Sequence, residues 1–326
     1  TDGEPDPELV NALTEGSAEV IAWLTETHGL PFTLVDDFDD PGHSRRRMHG
    51  LPSRSGEALI NALREACEAK EILIATERIV QTLFADGDTI KGVLAVLPDG
   101  GEEHIACRRL ILACNGFGGN TAMVRDLTPA IADALYFGHQ GNQGDAIAWG
   151  KALGAQMADL GSYQGHGNVA HPHGILITWA VITQGGFQVN ANGARFWDES
   201  QGYSEAARHV LAQPGGTAYA IFDARIAAIA RQFKDFQDAE AQGAVKKADT
   251  VEGLAETLNL DSETLQASFD SASGIDTFGR TFDPSLALAP PYGAVKVTGA
   301  LFHTQGGLKV DGNARVLRKD GTPLPN

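Results

Sequence analysis

Basic side chains are scarce in this sequence. Twenty-five Lys and Arg stand against 42 Asp and Glu, a net charge of −17 over 326 residues. Recognition of a phosphate backbone needs concentrated cations, so nucleic acid is not expected as a partner. The one basic cluster, Arg45-Arg46-Arg47, is short and reads as a solvated loop. Cysteine is nearly absent as well: Cys67, Cys107 and Cys114 form an odd set without metal-ligand spacing. Thiols this sparse suit small-hydrophobe roles in a reducing compartment, so a cytoplasmic location is expected. No apolar run approaches the ~20 residues that cross a bilayer. The polar opening Thr1-Asp2-Gly3-Glu4 has none of the features of a signal peptide. There is no internal repeat and no low-complexity tract.

What is present is an ordinary globular composition, 43% hydrophobic and 21% charged, on a chain long enough for one large domain or two medium ones. Asp6-Pro7-Glu8 predicts a helix start, with a capping carboxylate, proline at the first helical position and an acidic first turn. Leu9, Leu13, Val20 and Leu24 follow at helical spacing, and Gly29 with Pro31 closes the segment. A second helix is expected from Gly56 to Ala69. From Glu71 the period changes: Ile72–Ile74, Ile79–Phe84, Ile90–Leu97 and His104–Cys107 read as strands, with Asp86-Gly87 and Asp99-Gly100 as turns. Arg109 to Cys114 reads as a buried strand feeding the turn Asn115-Gly116-Phe117-Gly118-Gly119. Helical character is expected at Asp145–Gly154, Asp223–Ala239, Val251–Leu258 and Ser262–Ser271, and strands again over the last forty residues. The order suggests an α/β domain interrupted by an insertion.

Several segments resemble the fumarate reductase/succinate dehydrogenase flavoprotein superfamily, in order and spacing, from near Asp6 to Pro325. Two are sharp. Val189-Asn190 through Glu199 fits the family's V-N-x-x-G-x-R-F-x-x-E signature at every fixed position, and His303-Thr304-Gln305-Gly306-Gly307 fits its H-T-x-G-G segment. Weaker matches are Glu77-Arg78-Ile79-Val80, similar to the strand whose backbone meets the adenine, Ala113-Cys114-Asn115-Gly116-Phe117 near the cofactor, and Gly144-Asp145 before a helix. The resemblance implies a partial Rossmann-like FAD-binding domain, 1–160 and 287–326, with an inserted α+β cap at 161–286. FAD is then the cofactor, and Ile79, Val80, Ala113, Asn115, Gly116, Gly144 and Asp145 are its expected contacts. The family's opening G-x-G-x-x-G turn, which takes the pyrophosphate, does not occur in these residues, nor does its closing Gly-rich segment. A central fragment is therefore expected.

The same resemblance assigns site residues. His166 and His303 fall on the family's two substrate-binding histidines and Thr178 on its threonine. Imidazole, neutral or charged, can donate to a carboxylate; a histidine satisfying backbone groups in a core is the alternative. The reductases' proton-donating Arg, four residues after the signature Glu, is Tyr203 here, and their supporting Glu and Arg are Trp179 and Ile182. Fumarate reduction by that relay is not expected. The related 3-ketosteroid dehydrogenases resemble this chain in placing a tyrosine at the same spacing, which makes Tyr203 a candidate general acid/base or, alternatively, a buried, hydrogen-bonded tyrosine. Arg195 and Glu199, four apart, are expected to pair. Arg47 and His49 fall in a loop that covers flavin or substrate in the family. No metal is expected, since His166, His171 and His173 lack thiolate or carboxylate companions at ligand spacing. The expected function is FAD-dependent hydride transfer at a C–C bond next to a carbonyl or carboxylate, on a small polar substrate. An electron acceptor or a polypeptide carrying the missing segments would be the partner. The alternatives are a flavin-free scaffold and one chain of a two-chain flavoenzyme.

Overall fold

The computed structural model describes residues 5–36 and 44–326; the opening tetrapeptide lies outside them. The chain divides into two compact units. One comprises Thr1–Ala113, Ala146–Ala158 and Leu308–Asn326, the other Cys114–Asp145 and Asp159–Gly307.

In the first unit the Asp6 carboxylate accepts the Glu8 amide at 3.0 Å and starts helix α1 (Pro7–Ala22), as its sequence predicts. Strands β1 (Thr33–Leu34) and β2 (His49–Gly50) pair antiparallel. Ser55 caps α2 (Gly56–Ala69) through the Glu57 amide. Strands β3 (Ile79–Asp86), β4 (Thr89–Val96) and β5 (Glu102–Ala106) form an antiparallel sheet, with Ile90, Val93 and Ala95 of the middle strand buried. The Asn326 side chain extends its hydrogen bonding: Oδ1 accepts the Ile90 amide at 2.8 Å, and Nδ2 donates to the carbonyls of Ile90 and Arg108. Short strand β7 (Met157–Ala158) belongs to this unit too.

Two expected strands do not form. Ile72–Ile74 and Arg109–Cys114 have no strand structure, and Leu73 and Ile111 are 89% exposed. A buried strand needs a neighbour to pair its amides and carbonyls, and no described strand lies beside either run. Apolar composition alone does not supply one.

The second unit is built on the thirteen-residue strand β15 (Tyr292–Thr304). It pairs antiparallel with β8 (Tyr163–Ala170), β11 (Thr217–Asp223) and β12 (Val245–Ala248), and parallel with β6 (Leu135–Tyr136). β9 (Ile175–Leu176) extends the sheet beyond β8, and β10 (Phe187–Val189) beyond β11. β13 (Gly274–Ile275) and β14 (Thr281–Phe282) make a separate pair. The helices are α3 (Thr121–Leu127), α4 (Asp145–Ala152, of which all but Asp145 belongs to the first unit), α5 (Ala180–Thr183), α6 (Tyr203–Leu211), α7 (Ala224–Ala230), α8 (Lys234–Ala241), α9 (Val251–Leu258) and α10 (Ser262–Ser271). The helix expected at Asp223–Ala239 is thus two, α7 and α8. The fold is α/β. Residues 287–307 pack with the second unit because β15 shares its ladders with β8 and β11.

Both faces of this sheet are covered. Ala218, Ala220 and Phe222 point to a core completed by α6, α7 and α8, while Ile221 and Ala294 point to another completed by Leu254 and Leu258 of α9 and Leu265 of α10. Each fully buried Phe, Leu or Ile contributes roughly 1.5–3 kcal/mol.

Candidate active site

Alternation along β8 puts Gln164 and His166 on one face, and the ladder with β15 sets His303 opposite Gln164. Helix α6 packs flush on this pair of strands. A Cβ at Gly167 would lie 2.3 Å from Ala206 Cβ, so only glycine lets the small-residue face of Ala206 and Ala207 approach so closely. The Gly165 amide also donates to Ser204 Oγ at 3.0 Å. The docking delivers Tyr203, the first residue of α6, to the strand residues. Gln164 Nε2 donates to Tyr203 Oη at 3.0 Å, and the Tyr203 and His166 rings stack with centroids 5.1 Å apart. His166 stacks also on Phe302 at 5.2 Å and meets the edge of Trp179 at 5.8 Å.

His166 is 5% exposed, and burial lowers its pKa to about 3. The Asn168 amide donates to its Nδ1 at 3.2 Å. The ring is therefore neutral near pH 7, with its proton on Nε2. Of the two protonation states allowed by the sequence, the fold selects the neutral donor. Thr178, half-buried beside Trp179, accepts the Ala180 amide at Oγ1 and keeps its own O–H to donate. Trp179 and Ile182 are buried in the apolar core where the resemblance would have a charged relay.

Below the site lies a buried ionic cluster. Arg195 and Glu199 pair, Nη2 to Oε2 at 2.6 Å, as their spacing predicts. Two partners were not legible: Arg280 Nη1 reaches the same carboxylate oxygen at 3.0 Å, and Asp276 pairs with Arg195. Glu199 also accepts the Gln188 amide at 2.9 Å. Gln188 in turn donates to the Gly167 carbonyl and to Asn168 Oδ1, so the cluster connects by hydrogen bonds to the segment holding His166. It fixes the turn after Glu199 from which α6 starts. Arg280, 81 residues from Glu199, carried no local signal.

The glycine turn is assembled from separate parts of the second unit. Asn115, in the left-handed region at φ 60°, accepts the Gly116 amide on its own Oδ1. The Phe117 amide donates to Thr304 Oγ1 at 3.0 Å, and the Gly144 amide to the Gly116 carbonyl at 3.1 Å. Asp145 follows as the first residue of α4. Ile79, Val80 and Ala113 belong to the first unit, where Ile79 and Val80 pair with Val96 and Ala95. Arg47 and His49 make local contacts there, His49 Nδ1 with the Arg47 carbonyl and Arg47 with Ser44. Among the described residues no group of three His, Cys, Asp or Glu could hold a metal, and no helix is long and apolar enough to cross a membrane.

A model of the family described as FAD binding domain matches residues 1–326. The chain belongs to the FAD binding domain family. It is 32% identical over 332 residues to the probable fumarate reductase Ifc3 of Shewanella frigidimarina, covering 98% of this chain and 55% of that protein. It is 25% identical to the 4-oxocyclohexanecarboxylate 2-dehydrogenase of Sinomonas cyclohexanicum, covering 98% and 63%. The open conformation of a flavocytochrome c3 fumarate reductase superposes with a TM-score of 0.79 at 29% identity, over 98% of this chain and 57% of that one. The chain thus spans little more than half the length of these relatives. The resemblance to the fumarate reductase flavoproteins, expected from sequence motifs, is borne out.

FAD is the cofactor of this family, and the glycine turn is tightly packed. A Cβ at Gly116 would lie 2.0 Å from Thr304 Oγ1, and one at Gly144, φ +83°, 2.7 Å from Met123 Sδ. At both positions the chain's own atoms fill the space that a side chain would take, so the turn requires glycine there.

Proposed function

We propose that this chain carries the substrate-side machinery of an FAD-dependent oxidoreductase that introduces or reduces a C–C double bond next to a carbonyl or carboxylate. When bound, FAD supplies the hydride chemistry. In the oxidative direction one substrate carbon would lose a hydride and its neighbour a proton, leaving the double bond; reduction would be the reverse. Tyr203 Oη takes or returns that proton. His166 Nε2–H, Thr178 O–H and His303 bind the substrate's oxygen atoms, and Ile79, Val80, Ala113, Asn115, Gly116, Gly144 and Asp145 hold the cofactor. The discontinuous division of 1–160 with 287–326 as cofactor domain and 161–286 as cap belongs to the same reading.

One observation carries it: the Tyr203 hydroxyl, hydrogen-bonded to Gln164 and stacked on His166, occupies the sequence position of the reductases' proton-donating arginine. The names of the relatives support the reaction class, one a fumarate reductase and one a dehydrogenase of a cyclic 4-oxo acid. The tyrosine and the apolar Trp179 favour the second kind of substrate, a ketone or keto acid, over a bare dicarboxylate. The reading is tested by steady-state assay of the FAD-loaded full-length enzyme against both substrate kinds, with His303→Ala beside the wild type. A raised KM or lowered kcat on a keto substrate is expected; identical kinetics would remove His303 from the site.

A further inference from the structure

Gln164 matches no fixed position of either motif, yet its side chain donates to the Tyr203 hydroxyl. Its backbone is anchored: it lies on β8 opposite His303, one residue before Gly165, whose amide is tied to Ser204 of α6. Strand and helix are thus fixed to each other at the point where the amide meets the phenol. A phenol that accepts an N–H has its oxygen lone pair stabilised in proportion to its negative charge, so the bond favours the phenolate.

We propose that Gln164 is a positioning residue that holds the Tyr203 ring against His166 and biases its hydroxyl toward the proton-accepting form. The proposal rests on the reading of Tyr203 as the proton-transferring group. An unperturbed phenol, with a pKa near ~10, is a poor base at neutral pH. His166, in ring contact with Tyr203, is neutral. Glu199, in the turn before α6, is held by Arg195 and Arg280. Tyr163 on β8 is uncharged, and Asp223 on β11 caps α7. Lys296 and His303 come from β15, and Glu205, Arg208 and His209 from α6 itself. The Gln164 amide is a neutral donor that meets the oxygen directly.

The test needs no turnover. The chain is labelled with tyrosine carrying 13C at Cζ, and its five tyrosines are titrated by NMR, Tyr203 being assigned by the resonance that Tyr203→Phe removes. In Gln164→Met, of matched length and without a donor, the Tyr203 midpoint should rise by about one pH unit, which lowers the phenolate fraction about tenfold at fixed pH. The other four resonances should hold their positions, which also reports that the variant is folded. Gln164→Glu, with a carboxylate beside the phenol, should raise the midpoint further. An unchanged or lowered midpoint in Gln164→Met overturns the proposal, a lowered one meaning that the amide oxygen accepts from the phenol instead. The outcome is separable from the function itself. A raised midpoint together with full turnover by Tyr203→Phe in the loaded enzyme would uphold the Gln164–Tyr203 coupling and refute the catalytic role.

Discussion

The backbone amide of Asn168 donates to Nδ1 of His166, two residues earlier on the same strand, across 3.2 Å in the buried interior. A proton on Nδ1 would set N–H against N–H, so the bond and the burial act in the same direction, toward the neutral ring.

This has a consequence for acid stability. The folded pKa, about 3, lies below the ordinary 6.5, so between these values the unfolded chain binds more protons and stability falls as pH falls. At about pH 5 His166 alone should reduce stability by roughly 2 kcal/mol relative to pH 7. Urea unfolding of the wild type and of His166→Phe across that range checks it: the variant should have the flatter profile. Equal slopes would place the titration elsewhere.

Glu199 is 1% exposed and serves two guanidinium groups. Removing one member of a buried ionic cluster leaves uncompensated charge, typically at a cost of about 3–5 kcal/mol. Glu199→Gln should therefore lower the urea midpoint sharply. Pairing it with Arg280→Met should lose less than the sum of the two single changes, because both remove the same interaction. Strict additivity would mean that the cluster does not act as a unit.

Gly306 crosses another segment closely: a Cβ there would lie 2.0 Å from the Asp159 carbonyl oxygen, backbone against backbone. Neither side can turn away. Gly306→Ala should break the Gln305 amide bond to the Ser162 carbonyl, move the segment that carries His303, and destabilise by more than about 2 kcal/mol. A wild-type melting temperature would contradict the crossing.

Legibility in the sequence followed the range of the interactions. Asp6 announced α1 because a cap acts within three residues of itself, and the Arg195–Glu199 pair was readable at its i,i+4 spacing. Runs whose state depends on distant partners were misread: Ile72–Ile74 and Arg109–Cys114 have strand composition without a strand beside them. The site shows the same division. Tyr203, His166, Thr178 and His303 could be named from family motifs, and the fold brings Tyr203, His166 and Gln164 into contact with His303 opposite on the ladder. Gln164 had one available signal, its two-residue spacing from His166 on a strand. Arg280 and Asp276 had none, since their partners lie some eighty residues away and only the folded chain joins them.

The central claim, that Tyr203 moves the substrate proton beside a bound flavin, is tested most directly by single-turnover bleaching of the flavin absorbance in the FAD-loaded full-length enzyme. A saturated keto substrate is mixed rapidly with wild type and with Tyr203→Phe. The account predicts that both proteins have the same flavin spectrum before mixing and that the variant bleaches about 10²–10⁴-fold more slowly. Bleaching at the wild-type rate would contradict it and leave Tyr203 as a packing residue.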